Sequence, residues 1–205
     1  WNPLHYLCIN DKITAEVLSA FLERAPGAAN EKNTNGDYPL SILCSNENFA
    51  LEMLTAFGEH APEAKDNEGS YPLQLLCSFK KKLTAEVLSA FLERAPGAAN
   101  EKDENGNYPL HLLCRNEKIT AEVLSTLLEH APEAAKEKNE NGYYPLHQLC
   151  KNENITAEVL STLLEHAPEA AKEKDEDGDN PLHFLCRYNG KLTAEVLSTL
   201  LEHAP

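Results

Sequence analysis

Six times the chain places Pro-Leu and, four residues after the leucine, a cysteine: Pro3-Leu4 with Cys8, Pro39-Leu40 with Cys44, Pro72-Leu73 with Cys77, Pro109-Leu110 with Cys114, Pro145-Leu146 with Cys150, and Pro181-Leu182 with Cys186. Successive prolines lie 36, 33, 37, 36 and 36 residues apart. Self-similarity at such a period specifies a solenoid, in which a unit buries its apolar face only against its neighbours and at least three units are needed for stability. A solenoid offers a long surface and no closed pocket, so the pattern points to holding another macromolecule.

The unit from Gly106 to Gly142 shows how one copy folds. Asn105-Gly106 is a turn, because both residues tolerate positive φ. Pro109 suits a first helical turn, where its missing N–H costs nothing. Leu110, Leu113 and Cys114 then fall on one face of a short helix. Arg115 to Lys118 is polar and ends it. Thr120 is a good N-cap, with Glu122 in the first turn to meet the helix dipole. Val123, Leu124, Leu127, Leu128 and Ala131 form an apolar stripe on a second helix, which Pro132 stops. Glu133 to Asn141 is a charged loop leading to the next turn. The fold class is therefore an all-α repeat solenoid of helix-turn-helix units joined by extended or hairpin loops.

Hydrophobic residues make up 42% of the 205, enough for a core. The net charge of −15 makes nucleic acid a poor partner, since a duplex is bound chiefly by Lys and Arg. An anionic membrane is disfavoured for the same reason, and no run approaches the 18 apolar residues of a membrane span. The acid aids solubility and also fits a basic partner.

Each cysteine holds the same place in its own unit. Packed helices sit roughly 8–10 Å apart, and a disulfide needs Cα atoms within about 7 Å, so the six read as small buried hydrophobes. Buried free thiols lean toward an intracellular setting, and a filament role toward an extracellular one. Two histidine series run along the chain. His5, His111, His147 and His183 sit in the motif; His60, His130, His166 and His203 close the second helices, with Arg24 and Arg94 in the same place. Members of a series are a whole unit apart and cannot converge on one ion, so no metal is expected. The motif histidines are expected to hydrogen-bond backbone between units. Glu137, Glu140, Glu173 and Glu176 fall in repeated solvent-facing loops, with no asymmetric pocket to drive paired pKa values apart. No phosphate loop, nucleophile elbow or zinc spacing appears, so neither catalysis nor a cofactor is expected.

The repeated motif resembles that of the ankyrin repeat, in which a turn glycine precedes Thr-Pro-Leu-His. The matching stretches are Gly106 with Tyr108-Pro109-Leu110-His111, Gly142 with Tyr144-Pro145-Leu146-His147, and Gly178 with Asn180-Pro181-Leu182-His183. Asn2-Pro3-Leu4-His5 matches without the glycine. The departures are Tyr or Asn before Pro, Ser41 and Gln74 in place of His, and a period of 36 where 33 is usual. The resemblance implies an ankyrin-like solenoid of six units: 1–36, 37–69, 70–106, 107–142, 143–178 and 179–205. It also implies a protein partner gripped on a concave face of hairpin tips and first helices.

Positions that vary within the fixed framework are the partner-binding candidates. After the turn glycine come Asp37, Ser70, Asn107, Tyr143 and Asp179; after the cysteine come Arg115, Lys151 and Arg187. Tyr143, Arg115 and Arg187 are favoured because interfaces enrich Tyr and Arg. Phe184 also varies, after the Leu-His pair. The second unit is short between Pro62 and Gly69 and lacks a Thr cap; the third adds a residue at Phe79-Lys80-Lys81-Lys82, a basic run that offers a contact point; the sixth adds one near Asn189-Gly190. Local irregularity is expected at all three. The alternative function is self-assembly. Both ends look uncapped, Thr-Ala-Glu-Val-Leu-Ser recurs five times, and matching ends stack without closing. Leu4 and Leu7 at one end, and Val196, Leu197, Leu200 and Leu201 at the other, are the stacking candidates. Trp1 opens inside a motif copy without a starting Met, as in a window cut from a longer array.

Overall fold

A computed structural model describes residues 1–46, 48–79 and 83–204. Among them it has twelve α-helices and no strand, short and long helices in alternation. The short ones are α1 (Pro3–Ile9), α3 (Pro39–Cys44), α5 (Pro72–Ser78), α7 (Pro109–Arg115), α9 (Pro145–Cys150) and α11 (Pro181–Tyr188). The long ones are α2 (Ala15–Leu22), α4 (Leu51–His60), α6 (Ala85–Arg94), α8 (Ala121–His130), α10 (Ala157–His166) and α12 (Ala194–Leu201). The chain forms two compact units, Trp1–Leu76 with Ser89–Ala98, and Cys77–Leu88 with Ala99–Pro205. In the first, α1 packs on α3 and α2 on α4. In the second, α9 packs on both α7 and α11, and α10 on both α8 and α12.

The helix starts follow from the sequence. Each short helix opens on its proline, with the preceding residue extended, as at Tyr108 (φ −70°, ψ 157°) and Tyr144 (φ −75°, ψ 158°). Thr14, Thr120, Thr156 and Thr193 accept a hydrogen bond from the backbone N–H three residues on, capping the long helices. Helix α4 starts at Ala50 with no side-chain cap. The stripes of α8 and α10 are fully buried at Leu124, Leu127, Leu128, Leu160, Leu163 and Leu164. Each such leucine contributes about 1.5–3 kcal/mol of burial.

Helix α8 ends at His130 and Pro132 begins a 3₁₀ turn, Pro132–Lys136, so Glu133 to Lys136 is ordered helix and the simple charged loop expected there starts only afterwards. Ala134 and Ala135 are buried beneath it, which is why small residues stand there. The shortened second unit lacks this 3₁₀ turn after α4. Helix α4 also carries Gly58 where α8 has Leu128, and a Cβ at Gly58 would overlap the ring of Phe91. Phe91 is buried and replaces the leucine found at the corresponding position of α8, so a small residue compensates a large one within the first unit. Lys80-Lys81-Lys82, read as a contact point, lies outside the described residues. The extra residue of the sixth unit lengthens α11 to eight residues, against six in α9.

Cys8, Cys77, Cys114 and Cys150 are buried as expected, and burial pushes the Cys8 thiol up to about 12. Cys44 is half-buried and Cys186 exposed, which corrects the uniform reading. All six are free thiols.

Candidate functional site

Three polar frameworks hold the elements that carry the site. The first is the turn. Asn33, Asp66, Asp103, Asn139 and Asp175 each stand three residues before a turn glycine, and each side-chain oxygen accepts from two backbone N–H groups. The glycines then take positive φ, as at Gly106 (72°) and Gly142 (73°), where a Cβ would also meet the backbone of Glu140 and the side chain of Glu176.

The second framework is the motif histidine. His111 Nδ1 accepts from Tyr108 N–H at 3.2 Å and its Nε2–H donates to Tyr143 O at 2.9 Å. His147 does the same between Tyr144 N–H and Asp179 O, and His5 between Asn2 N–H and Asp37 O. Burial holds His111 and His147 neutral, their pKa lowered to about 4. Where the motif has Gln74, its Oε1 accepts from Tyr71 N–H at 2.8 Å. Where it has Ser41, the side chain of Asn67 accepts from Tyr38 N–H instead. The second histidine series binds backbone within its own helices, with His130 and His166 reaching Thr126 O and Thr162 O, while His60 meets Ser19 Oγ at 2.7 Å.

The third framework is an asparagine clamp two residues after the cysteine. Asn152 Nδ2 donates to Cys114 O and Asn116 O, Asn116 to Cys77 O and Phe79 O, and Asn46 to Cys8 O and Asn10 O. Each oxygen accepts the N–H two residues on. Asn189 continues the pattern with a bond to Asn152 O.

On this scaffold four residues converge in the second unit. Lys151 caps α9, and its Nζ lies 4.2 Å from the ring centre of Tyr143, 4.7 Å from Phe184 and 5.7 Å from Tyr188. Phe184 and Tyr188 are four apart on α11 and so share a face. Phe184 meets Tyr143 edge-on at 5.5 Å and His147 at 5.2 Å. The ammonium is partly desolvated, and burial, then the neighbouring Arg115 charge, lower the Lys151 pKa; Asp175 opposes them. Partial burial and the acidic turn raise the Tyr143 phenol.

Of the partner-binding candidates, the structure brings Tyr143 and Lys151 together, with Arg115 close enough to act on Lys151. Arg187 Nη1 donates to Asp179 Oδ2 at 2.8 Å, so these two candidates satisfy each other at the edge of the cluster. Asn107 is buried, bonded to Asp103 and Asn139, and is a turn residue rather than a contact surface. Asp37 and Ser70 lie in the first unit; Asp37 borders an open cleft of about 410 Å³ with Ile9, Asp11 and Ile42, and accepts from Asn67 at 2.9 Å. Tyr188 was not among the candidates; the signal was the extra residue of the sixth unit, which displaces the clamp asparagine to 189 and places a tyrosine over Lys151. Among the stacking candidates, Leu4, Val196 and Leu200 are buried against their own neighbours and present no area to a second copy. Leu7 and Leu197 are half-buried and Leu201 is exposed.

Among the described residues no group of three or more His, Cys, Asp or Glu is placed to hold a metal ion, and no helix is long and apolar enough to cross a membrane. No curated protein matches the chain. A family model of ankyrin repeats matches residues 120–205 in three copies. Such repeats are protein–protein interaction scaffolds and generally non-enzymatic. Residues 120–205 are therefore similar to ankyrin repeats.

Proposed function

We propose that the chain is a non-enzymatic scaffold that docks a protein partner on the surface carried by the α7, α9 and α11 segments, centred on Tyr143, Lys151, Phe184 and Tyr188. The observation that carries this reading is the gathering of a lysine and three aromatic rings at positions that differ from unit to unit, on a framework that otherwise repeats. Tyr188 is 47% exposed and Tyr143 and Lys151 are half-buried, so the cluster reaches solvent over the buried ring of Phe184. Rigid aromatic side chains are the residues through which interfaces take most of their binding energy. Arg115 extends the surface at one side, and the Arg187–Asp179 pair borders it at the other.

The test is affinity capture with the double variant Tyr143→Ala, Lys151→Gln beside Glu165→Ala, an exposed change on α10. The double variant loses the partner and Glu165→Ala keeps it, with equal helicity in both. Equal capture by all three discards this surface. Light scattering of the chain alone gives a mass near 22.7 kDa at every concentration; growth into filaments would instead favour end-to-end assembly.

A further inference from the structure

We infer that the partner element received at this surface is an acidic peptide segment, one of whose side-chain carboxylates accepts from Lys151 Nζ beside the rings of Tyr143 and Tyr188 and faces Arg115. The inference rests on the docking reading above and adds the chemistry of the occupant.

An ammonium has three N–H donors. The rings around Lys151 answer its charge, but among the described residues no carboxylate or carbonyl accepts from it. Other lysines set over a tyrosine face a single ring, as Lys32 does over Tyr38, and two of them have further partners. Lys102 lies over Tyr108 and 3.8 Å from Glu137, and Lys138 lies over Tyr144 and donates to Lys174 O. Arg115 is exposed and, among the described residues, has no ion-pair partner.

Two of the nearby acidic groups are already engaged, while exposed Asp177 acts on Tyr143 and exposed Glu117 stands beside Arg115. Asp175 is buried and its Oδ1 accepts from the backbone of Asp177 and Asp179. Asp179 accepts from Arg187. Asp175 and Asp179 are therefore committed to the fold, and neither Lys151 nor Arg115, which repel each other, has a carboxylate accepting from it among the described residues. A carboxylate between them supplies the missing acceptors and relieves the repulsion that lowers the Lys151 pKa. A basic segment would meet two like charges, and an apolar one would desolvate Lys151 further without pairing it. Beside Arg115 a cleft of about 300 Å³, bordered by Ser78, Asn116, Glu117 and Lys118, leaves room for the segment to continue.

The experiment is a nuclear magnetic resonance titration of the full chain with three blocked peptides of one alanine–leucine frame, carrying a central Glu pair, a Gln pair or a Lys pair. The Lys151 side chain and the Tyr143, Phe184 and Tyr188 rings are followed. The Glu peptide shifts these signals and the Gln peptide binds at least about tenfold more weakly. Lys151→Gln abolishes the response, Lys151→Arg keeps it in part, Arg115→Ala weakens it, and added salt weakens it further. Gln and Glu peptides binding equally at these rings overturn the acidic partner but leave the docking surface standing, as does a response to the Lys peptide alone. A Glu peptide that leaves Lys151 unmoved overturns the inference, and shifts confined to other surfaces overturn the docking reading with it.

Discussion

Lys151 Nζ lies 4.2 Å above the ring centre of Tyr143, joining the C-terminal end of α9 to the turn that precedes it. The contact has a cost: burial and Arg115 lower the Lys151 pKa. Arg115→Ala removes a like charge and so raises the Lys151 pKa toward its ordinary value. Titration of the Lys151 side-chain carbon signals measures the shift. A fall in this variant contradicts the geometry.

His111 and His147 are neutral bridges, each accepting one backbone N–H and donating to a carbonyl of the next turn. Their folded pKa values, about 4, lie below the unfolded value of 6.5. Below pH 6.5 the unfolded chain therefore takes up protons that the folded chain refuses, and stability falls until pH 4, by on the order of 3 kcal/mol per histidine. Urea unfolding from pH 7.5 to 4.5 records the loss. His147→Gln, which copies the cap made by Gln74, flattens the curve while keeping the Tyr144 N–H paired.

Asn152 binds two carbonyls of the preceding repeat in buried bonds and one N–H of its own turn in a part-buried one. Asn152→Ala strands these groups and costs roughly 2–4 kcal/mol. Asn46→Ala, in the more exposed equivalent, costs less. The difference in urea midpoints between the two variants checks the clamp.

Gly58 makes room for Phe91. Gly58→Ala destabilises by about 1–3 kcal/mol through overpacking, despite the better helix propensity of alanine. Adding Phe91→Leu restores part of the loss, a coupling that a double-mutant cycle measures.

The period, the proline starts, the threonine caps and the leucine stripes were legible because each is a local rule repeated in every unit. Tyr143, Lys151 and Phe184 were legible for the opposite reason, as variation on that constant background. The asparagine clamp and the Asx oxygens that build the turns were not, although both recur with the same period. Asn116 sits in a polar run and reads as loop; only the structure shows that its partners are carbonyls one repeat away. Cys186 fell with its five counterparts in sequence but lacks a covering helix, so it is exposed. Leu4, Val196 and Leu200 read as free ends, yet each helix stripe is covered by the neighbour on its other side. Tyr188 was hidden by a one-residue insertion whose effect is a longer α11, and lengthening a helix by part of a turn changes which side chain faces Lys151.

The most direct measurement is photo-crosslinking in extract of the cells that make the protein, with a photo-reactive phenylalanine derivative placed at position 187, beside the cluster, or at position 165 on α10. The predicted result is a crosslinked protein at position 187 that disappears when Lys151→Gln is added, and little product at position 165. Equal products at the two positions, or a product at 187 that survives both Lys151→Gln and Tyr143→Ala, would contradict docking at Lys151 and its aromatic neighbours.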